Sequence, residues 1–214
     1  TAGEITSEDT VIRSQSGTYV VDDKKYEFIS DVVVTDPSFT IFSQQMDYYT
    51  EVRHAYFYGA TTIHGEGYDV YCNRGFFDSN LKKGYFQDRA TVDYNLRNIK
   101  GDSIYFDDHI QYAAATRNVQ ISDTIGNNVI CGEFGEVFKF KDSAIVTQNP
   151  VAIKLVDSDS LYIHADTLLA TGPAENRILT GYYGVRIYKT NLSGVSDSIP
   201  VSYTHLTLPT TVFV

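Results

Sequence analysis

Five histidines, His54, His64, His109, His164 and His205, come first in a search of this 214-residue chain for chemistry. Imidazole binds metals and moves protons near neutral pH. No two of them stand at metal-ligand spacing, so a metal site is not expected and surface or turn histidines are. Asp107-Asp108-His109 joins acids to an imidazole, but it falls where the chain reads as a turn. Serine, histidine and aspartate are all present, yet no nucleophile elbow joins them. Gly65-Glu66-Gly67 is too short for a phosphate-binding fingerprint. Paired carboxylates can hydrolyse glycosides, but the acids here do not gather on one recurring face. Lys82-Lys83 and Lys139-Phe140-Lys141 lie in or beside turns and read as solvated. The expectation is a protein that is not an enzyme and needs no cofactor.

Composition narrows the partners. The formal net charge is −10, which argues against nucleic acid, whose affinity comes mostly from Lys and Arg on phosphates. No run of 18 apolar residues is present to span a membrane as a helix. The chain starts at Thr1 without a signal peptide, as a mature or trimmed protein would. Hydrophobic residues make up 43%, enough for one elongated domain or two smaller ones. Cys72 and Cys131 fall about two repeats apart and on opposite strand faces. That lies beyond the roughly 7 Å reach of a disulfide, so two free, mostly buried thiols are expected.

The elements that would position any site follow from a repeat. A step of 29 carries Ile12 to Ile41, Val70 and Ile99. It carries Tyr19 to Tyr48, Phe77 and Phe106, and Phe28 to Phe57, Phe86 and Ala115. It carries Val34 to Ile63, Val92 and Ile121, with looser copies beginning near Ile130 and Ile163. A fixed period means stacked copies of one supersecondary unit. With 17 Tyr, 12 Phe and many Val, Ile and Thr, each copy reads as strand, polar turn, strand. The turns fall in register at Val21-Asp22-Asp23, Thr50-Glu51, Ser79-Asn80 and Asp108-His109.

After each turn the alternation is clean, with Ala55, Phe57, Thr61 and Ile63 on one face and Thr62 and His64 on the other. Before each turn the spacing slips, from Ile41 and Ser43 to Met46 and Tyr48. A bend is expected there, at the slot of Gly17, Gly75 and Gly135. Stacked bent units make a trough or flattened jelly roll with the apolar ladders inside. Small residues such as Ala55, Gly84, Ala113 and Ala144 either leave room for a ligand or balance volumes in a closed core. From Pro200 to Val214 the register is lost. That stretch reads as a non-native tail of adapter-derived sequence after a domain over 1–199 that is cut short.

Gly101-Asp102-Ser103-Ile104-Tyr105-Phe106 followed by Ala113–Ile121, Asp159–Leu168, and Ile178-Leu179 with Val185-Arg186 resemble the OstA/LptA family. The likeness is to OstA-like proteins of the Bacteroides group over roughly residues 10 to 199. It implies an all-β, repetitive antiparallel bent β-jellyroll open at both ends. It implies lipopolysaccharide as ligand, carried across the periplasm to the outer-membrane machinery, either as a free bridge or as the N-terminal domain of the translocon LptD. Acyl chains would ride inside and sugars outside. The turn lysines could meet lipid A phosphates, and other OstA/LptA-type domains, or further copies of the chain, would join by edge-strand pairing. The lining positions, matched only as repeat slots, are Ile41, Tyr48, Phe57, Ile63, Val70, Phe77, Phe86, Val92, Ile99, Phe106, Ile121 and Ile130. The alternative is a structural or adhesive β-solenoid with a closed core.

Overall fold

The computed structural model describes residues 3–7, 9–94, 96–123, 128–156, 159–173 and 176–202. Seventeen β-strands and one short 3-10 turn, Lys139–Lys141, make up nearly all of them. In chain order the first strands are β1 (Gly3–Ser7), β2 (Thr10–Ser14), β3 (Ser16–Val20), β4 (Lys25–Asp36), β5 (Phe39–Tyr49) and β6 (His54–Gly65). They continue with β7 (Tyr68–Asp78), β8 (Lys83–Tyr94), β9 (Arg97–Asp107), β10 (Tyr112–Asp123) and β11 (Asn128–Phe138). The last are β12 (Ser143–Thr147), β13 (Val151–Val156), β14 (Asp159–His164), β15 (Thr167–Thr171), β16 (Ile178–Lys189) and β17 (Leu192–Ser202). Every described pairing is antiparallel, most of them between sequence neighbours. The class is the one expected, an all-β, repeating antiparallel β-jellyroll of bent hairpins. The chain divides into two compact units, residues 1–94 with 102–110, and residues 95–101 with 111–214.

In the first unit long hairpins alternate two kinds of turn. Two-residue turns stand at 37–38 and 66–67, and four-residue turns at 21–24, 50–53 and 79–82. Each of these four-residue turns ends in a left-handed residue, Lys24 at φ 50°, Arg53 at 56° and Lys82 at 49°. The turns are tied to one another. The Thr50 amide donates to the Lys24 carbonyl at 3.3 Å, Ser79 to Arg53 at 3.2 Å and Asp108 to Lys82 at 3.1 Å. Asp78 Oδ1 accepts the Asn80 and Leu81 amides at 3.0 Å, and one repeat later Asp107 Oδ1 accepts the Ile110 amide at 3.2 Å. An aspartate that closes a turn this way needs no further role.

The bend falls at the expected slip, where Gln44 lies across from Ser30-Asp31, and the strand after each turn shares it. Its left-handed residues sit in the strand after each turn, at Ser30-Asp31, Gly59, Asp88-Arg89 and Arg117-Asn118, again 29 apart. Pairing skips at these points, between Ile29 and Val32, Tyr58 and Thr61, and Thr116 and Val119. Mostly short polar residues occupy the corner, the types that tolerate this backbone, and Gly59 takes φ 95°. The slip before the turn is real, since Gln44 drops out of pairing. Gly75, however, serves space rather than backbone freedom. A Cβ there would stand 3.0 Å from Phe86 Cδ1 and 3.1 Å from Cys72 Sγ.

The second unit keeps the hairpin pattern less strictly. Its strands β12 to β15 are shorter, and β11 pairs with both β12 and β13. Strand β17 runs past residue 199. Pro200, Val201 and Ser202 pair with Thr180, Leu179 and Ile178, and Val201 is buried. Residues 203–214, including His205, lie outside the described residues.

Candidate functional site: an apolar interior closed by two kinds of seam

All twelve expected lining positions are buried, Ile99, Ile121 and Ile130 in the second unit and the other nine in the first. Ile41, Ile63, Val70 and Val92 are consecutive cross-strand partners, and the row extends back through Val34 to Ile12. A second row is Tyr48, Ala55, Phe77 and Gly84, and a third is Phe28, Met46, Phe57, Gly75 and Phe86. In the second unit Ile121 and Ile130 begin a row that passes through Ala152, Ile163 and Ile187. Ile99 and Phe106 are buried as well. Register brings these residues together, because each strand places the same slots opposite its neighbour.

The interior is filled. Phe57, Ile63, Phe77, Phe86, Val92, Ile99 and Phe106 are all 0% exposed. Large and small residues alternate across strands, so rings occupy the space beside glycines. A Cβ at Gly84 would stand 2.8 Å from Phe86 Cζ. The small residues of these rows therefore balance volume.

The strands fold so that one end of the interior meets the other, and aromatic contacts close the joint in the first unit. Phe39 packs edge-on against Phe77, with centroids 5.4 Å apart, and Tyr68 stands 4.7 Å from Phe106. These are the same pair one repeat apart. Tyr94 adds an edge-on contact to Phe106 at 5.2 Å. Burial pushes the Tyr68 and Tyr94 hydroxyls well above the usual phenol range. The sequence reading missed Phe39, Tyr68 and Tyr94, although the 29-residue step links Phe39 to Tyr68.

The next step from Tyr68 lands on Arg97, and in the second unit the corresponding joint is ionic. Arg97 and Arg177 are 1% and 2% exposed. Arg97 Nη1 stands 3.1 Å and Arg177 Nη1 3.3 Å from Asp142 Oδ1, and Arg177 Nε stands 3.0 Å from Asp123 Oδ2. Arg97 Nη2 also donates to the Asp142 carbonyl at 3.1 Å. Burial raises the Asp123 carboxyl and lowers the Arg97 guanidinium, each against the pull of its partner. A cavity of about 10 Å³ opens beside Arg97, Asp123 and Asn128. That is the room of a single water, and Asp123 Oδ1 and Asn128 Oδ1 lack hydrogen-bond partners there.

The residues first weighed for chemistry have structural places. His64 is exposed on β6, with Nδ1 2.6 Å from Asp69 Oδ1, and His54 opens β6 with Nε2 3.5 Å from Asp78 Oδ2. His109 lies in a turn and His164 ends β14. Asp107 is spent on its turn and on the Tyr105 hydroxyl, which donates to it at 2.9 Å. Both cysteines are free, Cys72 buried and Cys131 half-buried.

No family model and no curated protein matches the chain. Among solved structures it is similar to LptH, described as the LptA-homologous periplasmic component of the conserved lipopolysaccharide transport device from Pseudomonas aeruginosa. The two are 14% identical with a TM-score of 0.49, over 53% of this chain and 93% of that one.

Proposed function

We propose that the chain binds lipopolysaccharide and bridges its passage through the periplasm toward the outer membrane, as the OstA/LptA resemblance implies. The observation that carries this reading is the apolar inner row from Ile12 through Val34, Ile41, Ile63 and Val70 to Val92. A carrier for a sliding acyl chain needs a surface of one kind along its length, and each strand here repeats it. Burial is worth about 0.8 kcal/mol per methylene, so six methylenes supply about 5 kcal/mol. Parting two aromatic pairs such as Phe39–Phe77 and Tyr68–Phe106 costs about 1–3 kcal/mol beyond their area. An acyl chain that covers the parted rings replaces their lost contact area, so what it must offset on entry through that seam is the pairwise contribution alone. The twelve lining residues would then contact lipid. The exposed strand β17, with Val195 82% exposed, offers an edge for strand addition by a sibling domain or a second copy. This role has no catalytic step.

The complete burial of Phe57, Phe77 and Phe86 favours a second reading, a structural β-solenoid whose core never opens. Photo-crosslinking in cells separates the two. Probes at Phe57 and Phe77 should yield lipopolysaccharide adducts while a probe at Thr62 on the outer face does not. Folded protein silent at all three positions would leave the closed solenoid.

A further inference from the structure

The outer face of the first unit carries a row of rings that neither the interior nor the turns require. Tyr56 pairs with Phe76, and Phe76 with Tyr85, on three consecutive strands. Tyr105 extends the row, its ring 4.8 Å from that of Tyr85. Tyr56 and Phe76 stand 5.1 Å apart, and Tyr49 packs against Tyr56 at 5.6 Å. Tyr56 and Tyr85 are 37% and 55% exposed, and Phe76 and Tyr105 are half-buried. Polar rows bound the rings on both sides. Tyr58, Arg74 and Gln87 run along the side nearer the bend, and His54 and Lys83 along the side nearer the turns, with Asp78 buried between them and held by its turn.

We propose that this row is a saccharide-binding platform, on which pyranose rings lie against Tyr56, Phe76, Tyr85 and Tyr105 while the flanking side chains bond their hydroxyls. A pyranose presents C–H bonds on its faces and hydroxyls around its rim. Ring faces carry the negative lobe of the aromatic quadrupole, which attracts such C–H groups. Rings at the centre with donors and acceptors on both flanks match that pattern. An apolar protein partner would desolvate Arg74, Gln87 and Lys83 without replacing their bonds. The net charge of −10 disfavours stacked nucleobases. Neighbouring strands stand about 4.8 Å apart, so successive rings offer successive stacking positions.

The occupant is the saccharide of the glycolipid, an assignment of source that rests on the reading given under Proposed function. Each platform ring is the chain neighbour of an interior residue, Tyr56 of Phe57, Phe76 of Phe77, Tyr85 of Phe86 and Tyr105 of Phe106. The same strands would thus hold acyl chains on one face and sugars on the other.

Fully deacylated lipopolysaccharide, lipid A and an unrelated glucan are titrated separately into the full chain, read by tyrosine fluorescence and saturation-transfer NMR. The deacylated saccharide should bind. Tyr85→Ala should weaken it about tenfold, Tyr85→Phe should leave it nearly intact, and Tyr162→Ala should not change it. Lipid A, held mainly by its acyl chains, should lose less affinity on Tyr85→Ala than the deacylated saccharide does. The platform is overturned if folded protein does not bind the saccharide, or binds it equally well with both Tyr56→Ala and Tyr85→Ala in place. Glucan binding of equal strength overturns the assigned source. Lipid A bound without saccharide removes the platform and spares the transport reading. Saccharide bound without lipid A does the reverse.

Discussion

Phe57→Ala tests whether the interior is as tightly filled as its burial implies. Phe57 is 0% exposed between Met46, also at 0%, and Gly75, which has no side chain to move into the gap. Removing the ring forfeits its transfer free energy and leaves a cavity that only flexible Met46 can partly fill. The expected loss is about 3–5 kcal/mol. For a chain of this size that lowers the melting temperature by roughly 6–20 °C. With no tryptophan and 17 tyrosines, unfolding is followed by tyrosine fluorescence and far-UV circular dichroism in guanidinium. The same variant probes the ligand. An acyl chain that enters the gap restores about 2.7 kcal/mol at a hundredfold excess over its dissociation constant. A loss under about 1 kcal/mol would refute the packing argument. Full destabilisation without rescue by lipid A would count against the interior as an acyl site.

Three further outcomes follow from named groups. Arg97→Leu removes one of the two guanidiniums that Asp123 and Asp142 meet, and should cost up to about 3–5 kcal/mol in a denaturant titration; a near-neutral change would mean the cluster is solvated. Burial pushes the Cys72 thiol up to about 12, so native protein at pH 8 should label at Cys72 only as fast as it unfolds. At Asp36 burial is outweighed by hydrogen bonds from Ser38 and Thr10, holding the carboxyl below its ordinary range. A lowered acid stabilises the fold above its unfolded pKa and loses that contribution as pH falls through the folded one. Asp36→Asn should therefore flatten the stability profile below about pH 4, and an unchanged acid limb would show the bonds to be inconsequential.

Much of the fold was legible because one rule repeats. Period 29 placed the turns and the two faces, and the residues it assigned to the inner face from Ile41 to Ile121 are buried, since strand pairing converts a sequence step directly into a row. The slip between Ser43 and Met46 located the bend but not its left-handed residues, because glycine is the usual marker of such backbone and here Ser30-Asp31, Asp88-Arg89 and Arg117-Asn118 take that conformation. Gly75 was read as a hinge when its role is to let Phe86 and Cys72 approach. The seam was invisible for a different reason. Alternation says which face a residue takes, but not which two ends of a bent strand meet, so Phe39 could not be matched with Phe77 or Arg97 with Asp142. Those pairs depend on the angle of the bend, which no local pattern encodes.

The two seams also predict where the fold yields first. Phe39, Tyr68 and Arg97 are one slot at successive repeats, yet the first two close on Phe77 and Phe106 and the third on carboxylates. Parting an aromatic pair costs about 0.5–1.5 kcal/mol beyond its area. Withdrawing the carboxylates from Arg97 and Arg177 costs more, up to about 3–5 kcal/mol, because both guanidiniums are left buried without a counter-charge. Any partial opening should therefore begin along β5 to β7 and leave the strands around Arg97, Asp123 and Arg177 closed. Native-state hydrogen exchange resolves this strand by strand. Amides of β5, β6 and β7 should exchange through a sub-global opening of lower free energy than those of β10 and β16. The Arg97→Leu variant should bring the second unit down to the level of the first. Equal protection in the unaltered chain would mean that the chemistry of the slot does not govern opening, and an acyl chain would then have no preferred place of entry.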